Sequence, residues 1–147
     1  MAITLRYVNL KKADGTPRRA PFISVKTRSG EGRPVEVDAL VDSGSDSPVI
    51  PFELAEVARL NLNGEKAMTR GIGGSIPVIA SSISIEVEGG HERPTLQLPV
   101  LVVTDKALKI PFILGRNGFF EHFHITFRQN EQRLTLTRTE SRQNILK

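Results

Sequence analysis

The residues best placed to do chemistry lie in one short run, Ala39-Leu40-Val41-Asp42-Ser43-Gly44-Ser45-Asp46-Ser47. An apolar strand end passes straight into an acid, a hydroxyl residue and a glycine. A carboxylate is costly in apolar surroundings, so an Asp that ends such a strand needs hydrogen bonds or a task. Ser43 can bond neighbouring backbone, and Gly44 permits a tight turn. By itself Asp-Ser-Gly also describes an Asx or Ser turn that merely stops a strand. The apolar approach is what marks Asp42 as a candidate acid or base.

Two further segments stand out. Arg70-Gly71-Ile72-Gly73-Gly74-Ser75-Ile76-Pro77 places three glycines around one isoleucine, a loop tip whose backbone can approach a ligand. It lacks the Gly-Lys-Ser/Thr ending of a phosphate loop and opens no helix, so phosphate cradling is not expected. Taken alone it is a hairpin turn. Pro111-Phe112-Ile113-Leu114-Gly115-Arg116-Asn117 is another apolar strand broken at a glycine, echoing the layout around Asp42. Other chemistries have less material. The serines have no Gly-x-Ser-x-Gly elbow. His122 and His124 would share one face of a strand with only Glu121 close by, and no metal site is expected.

The elements that must hold these residues are mostly strands. Ile3, Leu5 and Tyr7 alternate with polar residues; Phe22–Thr27, a turn at 28–32 and Val35–Val41 read as a hairpin feeding an inner strand. Ile83–Glu88, the Gly89-Gly90-His91 turn and Leu96–Val103 make a second hairpin, and His124–Phe127 with Arg133–Thr137 a third. Helical spacing is confined to Phe52–Leu60, with Pro51 placed at a first turn, and to a short turn near 117–121. The expectation is an all-β barrel or sandwich with one helix near 51–60 and a short helix after Gly-Arg-Asn. It forms a single domain over 1–138, with a flexible tail at 139–147.

Composition narrows the function classes. Among 147 residues there is no cysteine, which excludes disulfides and thiol catalysis. The net charge is +4, from 20 Lys+Arg against 16 Asp+Glu, with much of the excess near the two ends: Lys11, Lys12, Arg18 and Arg19, then Arg133, Arg138, Arg142 and Lys147. One Tyr and no Trp leave no base-stacking platform, so these charges read as solubilising and no nucleic-acid partner is expected. The longest apolar run, Leu98–Val103, is far too short for a membrane span, and the N-terminus lacks a signal-peptide pattern. A cytoplasmic protein with no membrane partner is the expectation.

The three segments, in this order within about 75 residues, resemble the retropepsin family, the dimeric aspartic proteases of retroviral type and their cellular relatives. The resemblance covers most of 21–127. It implies a retropepsin-like acid-protease barrel, with Asp42 as the catalytic aspartate and Ser43 as the hydroxyl that locks two catalytic loops across a dimer. Gly44 would let substrate approach the backbone closely, and Ser45 and Asp46 would meet the substrate main chain. Gly71, Ile72, Gly73 and Gly74 would form a flap over bound peptide. Gly115, Arg116 and Asn117 would support the active-site loop, with Asp46 as the ionic partner of Arg116. Apolar pockets would be lined by Ile72, Ile76, Val78 and Ile113. No cofactor is implied.

Such hydrolysis needs two carboxylates sharing one proton, one activating water and one donating to the carbonyl. Of five aspartates, Asp14 lies in a turn, Asp38 in mid-strand and Asp105 at the start of a loop. The resemblance pairs Asp46 with Arg116. One chain thus offers half a site, and the resemblance implies a homodimer pairing two Asp42 side chains at a twofold axis. Because two close carboxylates cannot both ionise easily, activity is expected to be greatest below neutral pH. The substrate would be an extended peptide or protein segment. The rival expectation is a module of the same fold that grips peptides without cutting them.

The sequence departs from viral members in four ways. The chain continues from Gln129 to Lys147, the Phe52–Leu60 segment is longer, Ser45 replaces the commoner alanine, and 1–19 has no assigned counterpart. These place it nearer the cellular and prokaryotic members.

Overall fold

Alternation of apolar and polar residues becomes alternation of buried and exposed faces. The computed structural model describes residues 2–28, 33–71 and 74–139. In chain order the elements are β1 (Ala2–Arg6), β2 (Leu10–Lys11), β3 (Pro17–Arg18), β4 (Phe22–Thr27), β5 (Val35–Val41), β6 (Val49–Pro51), α1 (Phe52–Val57), β7 (Lys66–Gly71), β8 (Gly74–Val87), β9 (Thr95–Val103), β10 (Phe112–Leu114), β11 (Phe123–Arg128) and β12 (Arg133–Arg138). In β9 the buried residues are Leu96, Leu98, Val100, Val102 and Val103, the inward set that period two predicts, extended at its last position. Pro99 sits in mid-strand opposite Ser82 of β8, and β6 pairs only with Leu101–Val103 on the other side. The missing N–H therefore breaks no ladder there.

Seven strands follow the order β4-β5-β10-β6-β9-β8-β7, and an added β4–β8 pairing closes the first six into a barrel. The core joins Ile23, Val25, Val41, Ile50, Ile83, Leu98, Phe112 and Phe119, among others. β8 is one strand of 14 residues, so the expected strand at Ile83–Glu88 is only its second half. Its first half pairs with β7 as a hairpin that projects from the barrel. Residues 72 and 73, at the tip of that hairpin, lie outside the described residues, as do part of the 28–32 turn and residues 140–147 of the expected tail.

The expected hairpin of His124–Phe127 with Arg133–Thr137 forms as β11 and β12, and the N-terminal strand, whose partner the alternation does not give, joins it in a second sheet of order β1-β12-β11. Ile3, Phe123, Leu134 and Leu136 are buried in the same core as the barrel. The Tyr7 phenol donates to Gln129 Oε1 at 3.1 Å, and its burial pushes the phenol pKa up.

Helix α1 is shorter than its sequence pattern. Arg59 takes a left-handed φ of 56°, and the Leu60 and Arg59 N–H groups return to the Ala55 and Glu56 carbonyls at 3.0 Å each. This double bond pattern is a Schellman stop with arginine in the place that glycine prefers. Arg59→Gly is expected to raise stability by about 0.5–1 kcal/mol, since the left-handed penalty is only partly offset by glycine's chain entropy. Urea unfolding would show a higher midpoint at unchanged m-value. The short helix after Gly-Arg-Asn is an irregular turn, Arg116–Phe120, in which Asn117 (ψ 119°) and Gly118 (φ 88°) leave helical geometry.

Candidate active site

The site is built where two strand ends are forced together. β10 lies between β5, to which it is parallel, and β6, to which it is antiparallel. The chain leaving β5 at Asp42 therefore faces the chain leaving β10 at Gly115. Three backbone bonds stitch these exits. The Asp42 N–H donates to the Leu114 carbonyl (3.1 Å), the Arg116 N–H to Ser45 (2.9 Å) and the Asn117 N–H to Asp46 (2.8 Å). One side-chain bond adds to them, Asn117 Nδ2 donating to Ser47 Oγ at 3.1 Å, while within the β5 exit Ser45 Oγ donates to the Ser47 carbonyl at 2.8 Å. A Cβ on Gly115 would stand 2.6 Å from the Ser47 carbonyl carbon and oxygen, so only glycine lets the two loops close this far.

Asp42 is half-buried, and its Oδ1 accepts the Gly44 N–H at 2.9 Å. A Cβ at Gly44 would lie 3.2 Å from that same oxygen, which explains the small residue there. Ser43 is exposed, and its hydroxyl has no hydrogen-bond partner among the described residues. The Arg116 guanidinium donates to the Asp46 carboxylate, joining the two exits by charge as well as by backbone. With side-chain exposures of 55% and 83%, the pair is screened and adds at most about 1 kcal/mol. Its role is geometric, holding Asp46 beside the turn.

A groove of about 410 Å³ opens over this turn. One side is the turn itself, with Asp42, Gly44, Ser45, Asp46 and Ser47; the other is the β7–β8 hairpin, with Thr69, Arg70, Gly71 and Ile76. Between them, Ile113, Val49 and Leu101 occupy neighbouring register positions on β10, β6 and β9, and all three are half-buried. Ile110 extends this apolar wall. The arrangement suits an extended chain: a carboxylate and backbone at one side, apolar side chains along the wall, and a strand edge opposite.

Of the residues singled out from sequence, Asp42, Gly44, Ser45, Asp46, Gly71, Ile76 and Ile113 line this groove. Gly115, Arg116 and Asn117 lie behind it, bonded to its turn. Gly74 is paired with Gly71 at the base of the hairpin turn and takes φ 111°, whereas Ile72 and Gly73 fall outside the described residues. Val78 is a correction: it is 1% exposed and belongs to the core, because the hairpin has by then merged into the barrel wall, where β8 pairs with β9. Ser47, Val49, Thr69, Arg70, Leu101 and Ile110 were not foreseen as lining residues. The apolar ones carry no chemical signal of their own, and only the register across β10-β6-β9 aligns Val49 and Leu101 with Ile113.

No protein-family model and no curated protein sequence matches the chain. Among solved structures, it is similar to a retropepsin-like aspartic protease from Rickettsia conorii, at a TM-score of 0.57 and 17% identity, covering 92% of this chain and 90% of that one. Weaker likenesses are to EIAV protease complexed with the inhibitor HBY-793 (TM-score 0.41, 21% identity, 66% and 82% covered) and to simian foamy virus (mac) protease (TM-score 0.42, 13% identity, 65% and 87% covered). The six-stranded barrel with its projecting hairpin, matched over nearly the whole chain, is the fold of the retropepsin-like aspartic proteases.

Proposed function

We propose that the protein is an aspartic endopeptidase that works as a homodimer and hydrolyses peptide bonds in extended segments. The observation that carries this reading is Asp42, a half-buried carboxylate held at the mouth of an apolar-walled groove by a turn locked to β10. Among the described residues only one carboxylate lines the groove unpaired, because Asp46 is engaged by Arg116. A second copy supplies the other half. With the two Asp42 side chains adjacent and sharing one proton, the ionised one takes a proton from water as that water attacks the carbonyl. The protonated one donates to the carbonyl oxygen, and collapse of the tetrahedral intermediate passes a proton to the leaving amine. The exposed Ser43 hydroxyl, with no hydrogen-bond partner among the described residues, would bond across such a twofold contact.

The test is incubation with a peptide library between about pH 4 and 7, with cuts read by mass spectrometry beside an Asp42→Asn control. Cleavage is expected to peak on the acid side, because the mechanism needs one proton held between the two carboxylates to serve as the general acid. A rate that climbs steadily up to pH 7 would contradict the dyad. Binding without cleavage at any pH, from protein shown to be dimeric, would mean a peptide-gripping module instead.

A further inference from the structure

The sheet β1-β12-β11 has a second face whose composition the barrel does not explain. Period two puts Ile3, Leu5, Leu134, Leu136 and Ile125 toward the core, and leaves Thr4, Thr126, Thr135 and three arginines on the opposite face. The register makes Arg6 the partner of Arg133, and Arg133 the partner of Arg128. Three arginines thus stand side by side across three strands, about 5 Å from one to the next. Like charges directly opposite one another destabilise a sheet. Among the described residues the row makes one ion pair, Arg128 with Glu131 at 3.8 Å, and Arg6 borders a cleft that Glu36, Glu86 and Glu88 also line without pairing with it.

More positive charge borders the row. Gln129 Nε2 donates to the Arg19 carbonyl at 2.9 Å, and the Tyr7 N–H donates to the Gln132 carbonyl at 2.8 Å. These bonds hold the β2–β3 hairpin, with exposed Lys11, Lys12, Arg18 and Arg19, against the same end of the sheet. Its one acid, Asp14, is engaged by the Thr16 N–H and hydroxyl at 2.9 and 2.6 Å. Residues 2–19 and 123–139 together carry eight Lys and Arg against two acids, whereas residues 20–122 carry ten against thirteen. Basic clusters that look like two solubilising ends in the sequence become one pole on a net-acidic barrel.

We propose that this outer face, centred on Arg6, Arg133 and Arg128, is a docking surface for an acidic, extended polypeptide segment of a protein partner. Guanidinium forks pair bidentately with carboxylates, and the adjoining threonine hydroxyls add donors. Backbone pairing is also on offer, because β11 is the edge of its sheet and has β12 as its only neighbour among the described residues. Among the described residues the face carries no Phe, Tyr or Trp on which a base could stack, its one imidazole being His124, and its one apolar side chain, Ala2, is too small to anchor in a bilayer. The net-acidic barrel would repel a long polyanion running past the patch, while a short acidic segment fits within it. The surface acts independently of Asp42.

Anisotropy of a labelled Glu-rich peptide, titrated with the full-length Asp42→Asn protein so that cleavage cannot consume the probe, tests this. Binding should weaken steeply with salt and fall about tenfold or more in an Arg6→Gln/Arg133→Gln variant. A control, Lys66→Gln/Arg93→Gln in β7 and the β8–β9 turn, away from this sheet, should change it less than about twofold. The row variant should melt no lower than its parent, since it relieves like-charge opposition. Absence of binding at low salt, or equal weakening by the control, would overturn the proposal. So would tighter binding of a short DNA duplex or of phosphatidylserine vesicles, which would assign the patch to nucleic acid or membrane.

Discussion

Asp42→Asn is expected to lower kcat/KM for peptide cleavage by about 10³-fold or more, while peptide affinity stays within a few-fold. The amide keeps the shape of the carboxylate and can still accept the Gly44 N–H through its oxygen, so the turn should survive. What is lost is the group that takes the proton from water, and in a symmetric dimer both copies lose it together. Steady-state cleavage of one good substrate, beside binding of the same peptide to the variant, separates the two effects. Residual activity within tenfold of the parent would show that Asp42 is not the base. Loss of binding along with cleavage would point to a damaged turn instead.

Gly115→Ala should be the most damaging single-methyl change at the site. The added Cβ would sit 2.6 Å from the Ser47 carbonyl and 2.8 Å from the Ser45 oxygen, all backbone atoms that no rotamer can move aside. Relief requires the β5 and β10 exits to separate, which breaks the Arg116–Ser45 and Asn117–Asp46 bonds. A loss of about 3 kcal/mol is expected, seen as a lower urea midpoint, with cleavage falling further than stability alone explains. Gly71→Ala is the matched control, because nothing lies within 4 Å of its Cβ position and the midpoint should shift by less than about 0.5 kcal/mol. Equal midpoints for the two variants would refute the close-approach argument.

The candidate site was legible because its chemistry is local. Asp42, Gly44, Gly71 and Gly115 are each conspicuous against their neighbours, being a carboxylate at an apolar strand end or a glycine where a side chain is expected. The groove wall was not legible. Ile113, Val49 and Leu101 are ordinary strand residues, and they form one row only because β10 inserts between β5 and β6 with a particular register. Val78 was misplaced for the same reason: the residue pattern of β8 does not say where the projecting hairpin ends and the barrel wall begins.

By itself, the sequence determined that this chain is mostly β, where its strands alternate, and which short segments carry the chemistry. Those properties depend on side-chain period and on residue type within a few positions. The tertiary structure alone decided that β4 closes on β8, that the two chain ends share a sheet, and that Arg6, Arg133 and Arg128 stand in one row. Strand pairing is a contact between residues up to 135 positions apart, as Ala2 and Thr137 are, set by which faces must be buried together. No local pattern encodes that partner.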